Sequence, residues 1–155
     1  MMVDFFTRQF QYDHWANQRA LEAISAAGKN NGKALRLFCH ILAAQQVWHT
    51  RATGSYSAHL AIWPEFTVGE CSQLLDEFYE NWRRFINSLS PDRLPELVAY
   101  HNSKGQSFQS SIQDILNHVV MHGTYHRGQI ATLLRQEGGV PVLTDFIHYT
   151  RNPQA

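Results

Sequence analysis

The sequence predicts an all-α fold, a four-helix bundle with a crossover connection, on three observations. Four segments of roughly 20 residues or more repeat their apolar residues at helical spacing. Gly- and Pro-bearing breaks separate them. The link between the second and third segments, Ser55 to Thr67, is long for a bundle loop and suggests a crossover or a cover over a site. At 155 residues the chain is expected to form a single domain, 1–155, with one sizeable core.

The first helix is expected over Val3 to Ala27, with Phe6, Phe10, Asp13 or His14, Asn17, Leu21 and Ile24 at helical spacing and a stop at Gly28 to Gly32. Within it, Tyr12 to Asn17 is dense in polar-tipped groups. His14 is a candidate ligand there, although a boundary position suits it better. The second helix runs from about Lys33 to Thr53 and ends at Gly54, with Leu37, Ile41, Ala44 and Trp48 as its stripe. The third starts at Val68 or Gly69, carries Leu74, Leu75, Phe78, Trp82, Phe85, Ile86 and Leu89, and stops at Ser90-Pro91. Its aromatic stripe reads as core.

The period then changes. Leu97, Ala99 and His101 alternate with Val98, Tyr100 and Asn102, and Ser107-Phe108 follows Lys104-Gly105. This is the pattern of a short β-hairpin before the last long helix, or of a loop. Ser110 or Ser111 caps that helix, and Gly138-Gly139-Val140-Pro141 ends it. Leu143 to Tyr149 is expected to pack back over the bundle.

Composition limits function. Thirteen basic and thirteen acidic residues cancel, so no field favours nucleic acid or a membrane surface. No apolar run approaches membrane-spanning length. The N-terminus carries Asp4 and aromatics where a secretory leader would have a basic segment and then an apolar one, so none is expected. Cys39 and Cys71 are too few for a disulfide framework and read as reduced thiols of a cytoplasmic protein, packed as small hydrophobes. The unusual feature is the nine histidines.

Three of them, His118, His122 and His126, recur every fourth residue in the last long helix and therefore stack along one side. The apolar stripe of that helix is Ile112, Ile115, Leu116, Val119, Ile130, Leu133 and Leu134. Its centre lies about 110° from His118, about 70° from His122 and about 30° from His126. The last two are thus expected to point inward, with His118 at the margin. Imidazoles at i and i+4 on such a face can reach one metal ion together. On the second helix, His40 lies at the edge of the stripe and is a better third ligand than His49. Gly123 stands where the H-E-x-x-H motif needs its Glu, which excludes a metalloprotease helix. The chain has no Glu-x-x-His, so an all-histidine site is favoured over a di-iron carboxylate site. Gly123 and Gly128 each lower helix propensity by about 1 kcal/mol relative to Ala, and close helix approach is one reason to keep a glycine.

Leu37 to Trp48 with Arg51, and above all His118-Val119-Val120-Met121-His122-Gly123-Thr124-Tyr125-His126-Arg127-Gly128-Gln129-Ile130, resemble the second-helix and last-helix motifs of the DinB/YfiT-like metalloenzyme superfamily. Tyr12 to Asn17 and Leu143 to Ile147 are also similar to family segments. The resemblance implies a four-helix bundle, often a homodimer, holding a divalent metal ion, zinc or nickel, on three histidines. Carried over by position these are His40, His122 and His126, with His118 beside them. It further implies a transferase that activates a low-molecular-weight thiol (bacillithiol, mycothiol or glutathione) toward an electrophile. A non-catalytic stress-associated metal-binding bundle and a metal-dependent hydrolase are the alternatives. A structural metal would need a fourth protein ligand, for which His118, Asp114 and Cys39 are the candidates. Arg51 and Arg127 are candidates for binding a thiol's carboxylates.

Overall fold

The computed structural model describes residues 2–151, apart from the side chains of residues 29 and 30. Four long helices make the bundle: α1 (Met2–Ala26), α2 (Gly32–Ala52), α3 (Val68–Asn87) and α4 (Ile112–Gln136). A hairpin of β1 (Leu97–His101) and β2 (Ser107–Ser111) leads into α4, and a short α5 (Phe146–Arg151) follows it. Among the described residues, no helix is long and apolar enough to cross a membrane.

Local chemistry sets the boundaries. Thr67 opens α3 with a capping box, its hydroxyl accepting from Glu70 N while the Glu70 carboxylate accepts from Thr67 N. Ser111 caps α4 by accepting from Asp114 N, so the last residue of β2 is also the first hydrogen-bonding group of the helix. The strands pair antiparallel, with Leu97 opposite Ser111 and His101 opposite Ser107. Asn102 closes the turn, its side-chain oxygen accepting from Lys104 N and Gln106 N, and Gly105 supplies the positive φ of 76°.

Around the bundle the helices follow the order α1, α3, α2, α4, so α1 and α2 are diagonal partners that barely touch. Cys39 meets Cys71, and further along both helices His49 meets Trp82, so α2 and α3 run parallel. By the same test α1 and α3 are antiparallel (Phe10 on Trp82, His14 on Tyr79), and so are α2 and α4 (His40 on His126, Trp48 on His118). Parallel neighbours must be joined by a chain that returns the full length of a helix. Residues 53–67 make that return and run past the outer side of α2. This is the crossover expected from the loop length.

The core forms two clusters. Phe10, Trp82, Ile86, Ile112 and Leu116 belong to one, and Ile24, Phe38, Leu42, Leu75 and Ile130 to the other. Between them along α1, α2 and α4 lies a buried polar layer. Asp13 accepts from Arg127 Nη1 at 2.6 Å on one oxygen, and from Gln45 Nε2 at 2.8 Å and Asn17 Nδ2 at 3.1 Å on the other. Arg127 also donates to Asn17 Oδ1 and Thr124 Oγ1 and lies over the Tyr12 ring. Gly123 is required here. A Cβ on it would stand 2.6 Å from Asp13 Oδ1 and 2.8 Å from Arg127 Nη1. Gly128 has open space around it, and nothing in the structure explains it.

The buried faces differ from the expected stripes. On α4 Val120, Gly123 and Arg127 are buried and Leu133 only partly so, which turns the centre of the buried face roughly 30° further from the histidines. His122 and His126 therefore stand at the margin, partly buried, instead of pointing into the core. On α2 the core face is Ala34, Phe38, Ile41, Leu42, Gln45 and Ala52, while Leu37, Ala44 and Trp48 are only partly buried. The C-terminal segment packs back as expected, with Phe146 and Tyr149 against Tyr12.

Candidate metal centre

His40 comes from the middle of α2, and His122 and His126 from successive turns of α4, so the antiparallel α2–α4 seam is what brings them together. Each offers one ring nitrogen, and the three nitrogens lie within 4.8 Å of one another. The Nε2 atoms of His40 and His122 are 3.2 Å apart. Around a tetrahedral ion with bonds of about 2.1 Å, nitrogens stand roughly 3.4 Å apart, so this pair already has ligand spacing. The ring centroids form a triangle of 4.9, 4.8 and 4.5 Å.

The opposite ring nitrogens fix the tautomers. His40 Nδ1 lies 2.8 Å from the Ile62 carbonyl, which can only accept, so the proton is on Nδ1 and the Nε2 lone pair is free. His126 Nδ1 lies 2.6 Å from Gln129 Oε1, and with that oxygen facing the ring it too donates from Nδ1. The His40 lone pair thus faces His122 Nε2, and His126 brings one ring nitrogen into the same group. A proton on His122 Nε2 can satisfy one of these partners, whereas a single cation satisfies all three nitrogens. The donor set fits a divalent metal ion of the zinc or nickel type.

Burial and neighbouring charge keep the His40 and His122 rings neutral. Burial first, then the neighbouring imidazoles of His126, His40 and His118, lower the pKa of His122 to about 3. His40 is lowered as well, first by burial. Neutral imidazole is the form that ligates.

The crossover loop completes the surroundings. The Trp63 ring stacks on His40 at 3.9 Å and 9°, and Arg36 lies over its indole. His118 stands one turn from His122 and packs edge-on against Trp48, outside the three-histidine group. Beyond it, the Arg51 guanidinium lies between the Trp48 and Tyr100 rings and donates to His101 O and Ser57 Oγ. The other sequence candidates are elsewhere. Asp114 accepts from Ser111 at the start of α4, Cys39 turns toward Cys71, and Arg127 is consumed by Asp13. His14 stacks on Tyr79 across the bundle, with Nε2 3.3 Å from Asp76. A recess of about 350 Å³ between α1 and α3, lined by Gln18, Glu22, Ser72 and Asp76, lies on the bundle edge opposite the histidines.

Sequence reasoning did not assign Gln129 or the Ile62 carbonyl. Gln129 was within reach, because it follows His126 by three residues and shares its helical face. The Ile62 carbonyl left no signal, since any residue has one. Asp13 and Asn17 as buried partners of Arg127, and Gln45 as a partner of Asp13, were also missed.

No solved structure matches the chain. It is similar to Protein DinB of Bacillus subtilis (strain 168), with 26% identity over 160 residues covering 94% of this chain and 93% of the relative. The sequence pattern of the DinB family matches residues 2–154, a span that takes in both halves of the histidine cluster and the Asp13–Arg127 layer behind it. By that match, the chain belongs to the DinB family.

Proposed function

We propose that His40, His122 and His126 hold one divalent cation, zinc or nickel, and that the protein is a transferase activating a low-molecular-weight thiol toward an electrophile. The observation that carries the metal reading is the convergence of three ring nitrogens while Ile62 O and Gln129 Oε1 hold the opposite nitrogens of His40 and His126. A cation bound by three neutral imidazoles keeps at least one position open and, as a Lewis acid, lowers the pKa of a thiol or water that takes it. The remaining work falls to the chain. Ile62 O and Gln129 fix the rings, and Trp63 screens one face of His40 from water. Arg51 has no carboxylate partner among the described residues, and its half-buried charge suits the carboxylates of bacillithiol, mycothiol or glutathione.

An open site favours this reading over a structural metal in a non-catalytic stress-associated bundle. The candidate fourth ligands His118, Asp114 and Cys39 all lie outside the group and are engaged elsewhere. A metal-dependent hydrolase would use a general base at the site, and the group contains no carboxylate. The buried free thiols of Cys39 and Cys71 support a cytoplasmic setting.

The test is metal analysis of the purified protein together with a panel of thiols assayed against a reactive electrophile. One ion per chain and thiol consumption that stops on chelation are expected. A bound ion with no turnover of any thiol leaves the metal site and removes the transferase. The same reading includes a symmetric dimer. Met121 and Tyr125 are exposed one turn apart on α4, and two helices per chain would bury more than about 1,000 Å². Light scattering at micromolar concentration should give twice the chain mass, and a monomer mass removes the dimer.

A further inference from the structure

The chain has two cysteines, and they touch. Cys39 in α2 and Cys71 in α3 are 32 positions apart, yet their Sγ atoms lie 3.8 Å from each other. Both are free and buried. Burial alone is what a small hydrophobe would show, but it does not account for both cysteines occupying one contact between two helices. A disulfide has an S–S bond of about 2.05 Å, so side-chain rotation has to close the gap by roughly 1.8 Å from the observed 3.8 Å.

Cys39 also has an approach from outside. A recess of about 190 Å³ lined by Arg36, Cys39, Pro64, Glu65 and Phe66 opens over it, with room for a reagent little larger than water. Its Sγ lies 3.7 Å from the Phe66 carbonyl, on the returning crossover loop. On α2, Cys39 and His40 are successive residues about 100° apart, so the thiol faces α3 while the imidazole faces α4. The sulfur pair is therefore a second cluster, independent of the histidines.

We propose that Cys39 and Cys71 are a thiol–disulfide couple, oxidised by hydrogen peroxide entering over Cys39, that ties α2 to α3 beneath the crossover loop. The Cys39 sulfur, as thiolate, attacks one peroxide oxygen. The O–O bond breaks, leaving a sulfenic acid on Cys39 and a hydroxide that takes up the proton Cys39 lost, giving one water. The Cys71 sulfur then attacks the Cys39 sulfur. The S–S bond forms, the S–O bond breaks, and the departing hydroxide takes the Cys71 proton as the second water. Two thiols lose two electrons in total, and one peroxide is reduced to two waters. The product closes the crossover, with Ile62 and Trp63 in it, into a covalent ring. It also removes the Cys39 hydrogen that faces Phe66 O. A small thiol in excess reverses the bond.

The experiment treats the full-length protein with a small excess of hydrogen peroxide, unfolds it in an alkylating reagent and measures its mass. The proposal expects a loss of two hydrogens, no alkylation, and a peptide pair joined through Cys39 and Cys71 that dithiothreitol separates. In C71S, with folding checked by circular dichroism, Cys39 should gain one oxygen and be captured by dimedone. C39S should stay unmodified at the same dose. Two alkylated thiols in the treated wild type would overturn the proposal, as would a bond between chains or a sulfinic acid on Cys39 in place of the disulfide. The wild-type measurement decides the matter even where neither variant folds.

Discussion

His126 and Arg127 are neighbours in α4, yet they belong to polar clusters built in opposite ways. Arg127 is 3% exposed and Asp13 1%, and together with Asn17, Gln45 and Thr124 they fill almost all of each other's hydrogen-bonding capacity, Arg127 Nε alone lacking a partner among the described residues. Their charges cancel inside the protein. On the adjacent face His40, His122 and His126 are partly buried, and Nδ1 of His40 and of His126 is satisfied, while Nε2 of His40 and His122 meet with no carbonyl or carboxylate between them. The first cluster balances its charges without an ion from solution. The second has a donor set that could take up a cation. The difference shows how one helix can carry both the register of a bundle and its chemistry, with a step of about 100° separating them.

Breaking the closed cluster should have the largest effect. Arg127→Met leaves the Asp13 carboxylate buried without its partner, which costs about 3–5 kcal/mol. Gly123→Ala drives a Cβ into the same pair and should cost about 1–3 kcal/mol. Thermal unfolding of the metal-free variants should show a fall on the order of 10 °C for Arg127→Met and a smaller one for Gly123→Ala. If both melt with the wild type, the layer does not hold the helices in register.

Opening the second cluster should barely affect the fold. His122→Ala in metal-free protein should unfold within about 1–3 kcal/mol of wild type, because the void is offset by removing a crowded polar group. Adding zinc should raise the melting temperature of wild type and leave that of His122→Ala unchanged. Equal stabilisation of the two would place the ion elsewhere. Gln129→Ala is a finer probe. It frees His126 Nδ1, and loss of such an outer hydrogen bond typically weakens metal binding about 10–100-fold. A zinc affinity equal to wild type would mean that Gln129 does not orient the ring.

Acid should act on the histidines broadly. His14, His40, His49, His118 and His122 are all lowered from the ordinary 6.5, in each case first by burial, and His122 goes furthest, to about 3. Below pH 6.5 the unfolded chain takes up protons that these folded rings refuse, so stability is complete above that value and falls as the pH drops through the window toward 3. Denaturant titrations of metal-free protein at pH 7.0 and about 5.5 should show the lower midpoint in acid. A higher midpoint in acid would contradict the burial of these rings.

How far the sequence foretold all this differs between the two clusters. The four helices, the hairpin and the crossover were readable because each leaves a local mark, such as a period, a Ser111 cap or a long link. The row of His118, His122 and His126 was visible for the same reason. The partnership within the closed layer left no such mark, although Asp13 or His14 and Asn17 fall at the helical spacing of the first stripe. Asp13, Asn17, Gln45 and Arg127 are residues that usually face water, and Asp13 meets Arg127 across 114 positions. The expected stripe of α4 left out Val120, Gly123 and Arg127, which is what drew His122 and His126 too far inward. Gly123 was the one local hint, since close approach was a reason to keep a glycine there. It meets the buried ion pair, not a neighbouring backbone.

The central claim is that three imidazoles from α2 and α4 share one cation, and anomalous diffraction from zinc-loaded crystals tests it most directly. The account predicts a single peak about 2.0–2.1 Å from Nε2 of His40, His122 and His126, with His40 Nδ1 still donating to Ile62 O and His126 Nδ1 to Gln129. A peak at other residues, or one of the three rings turned to solvent while the ion is held by the rest, would contradict it.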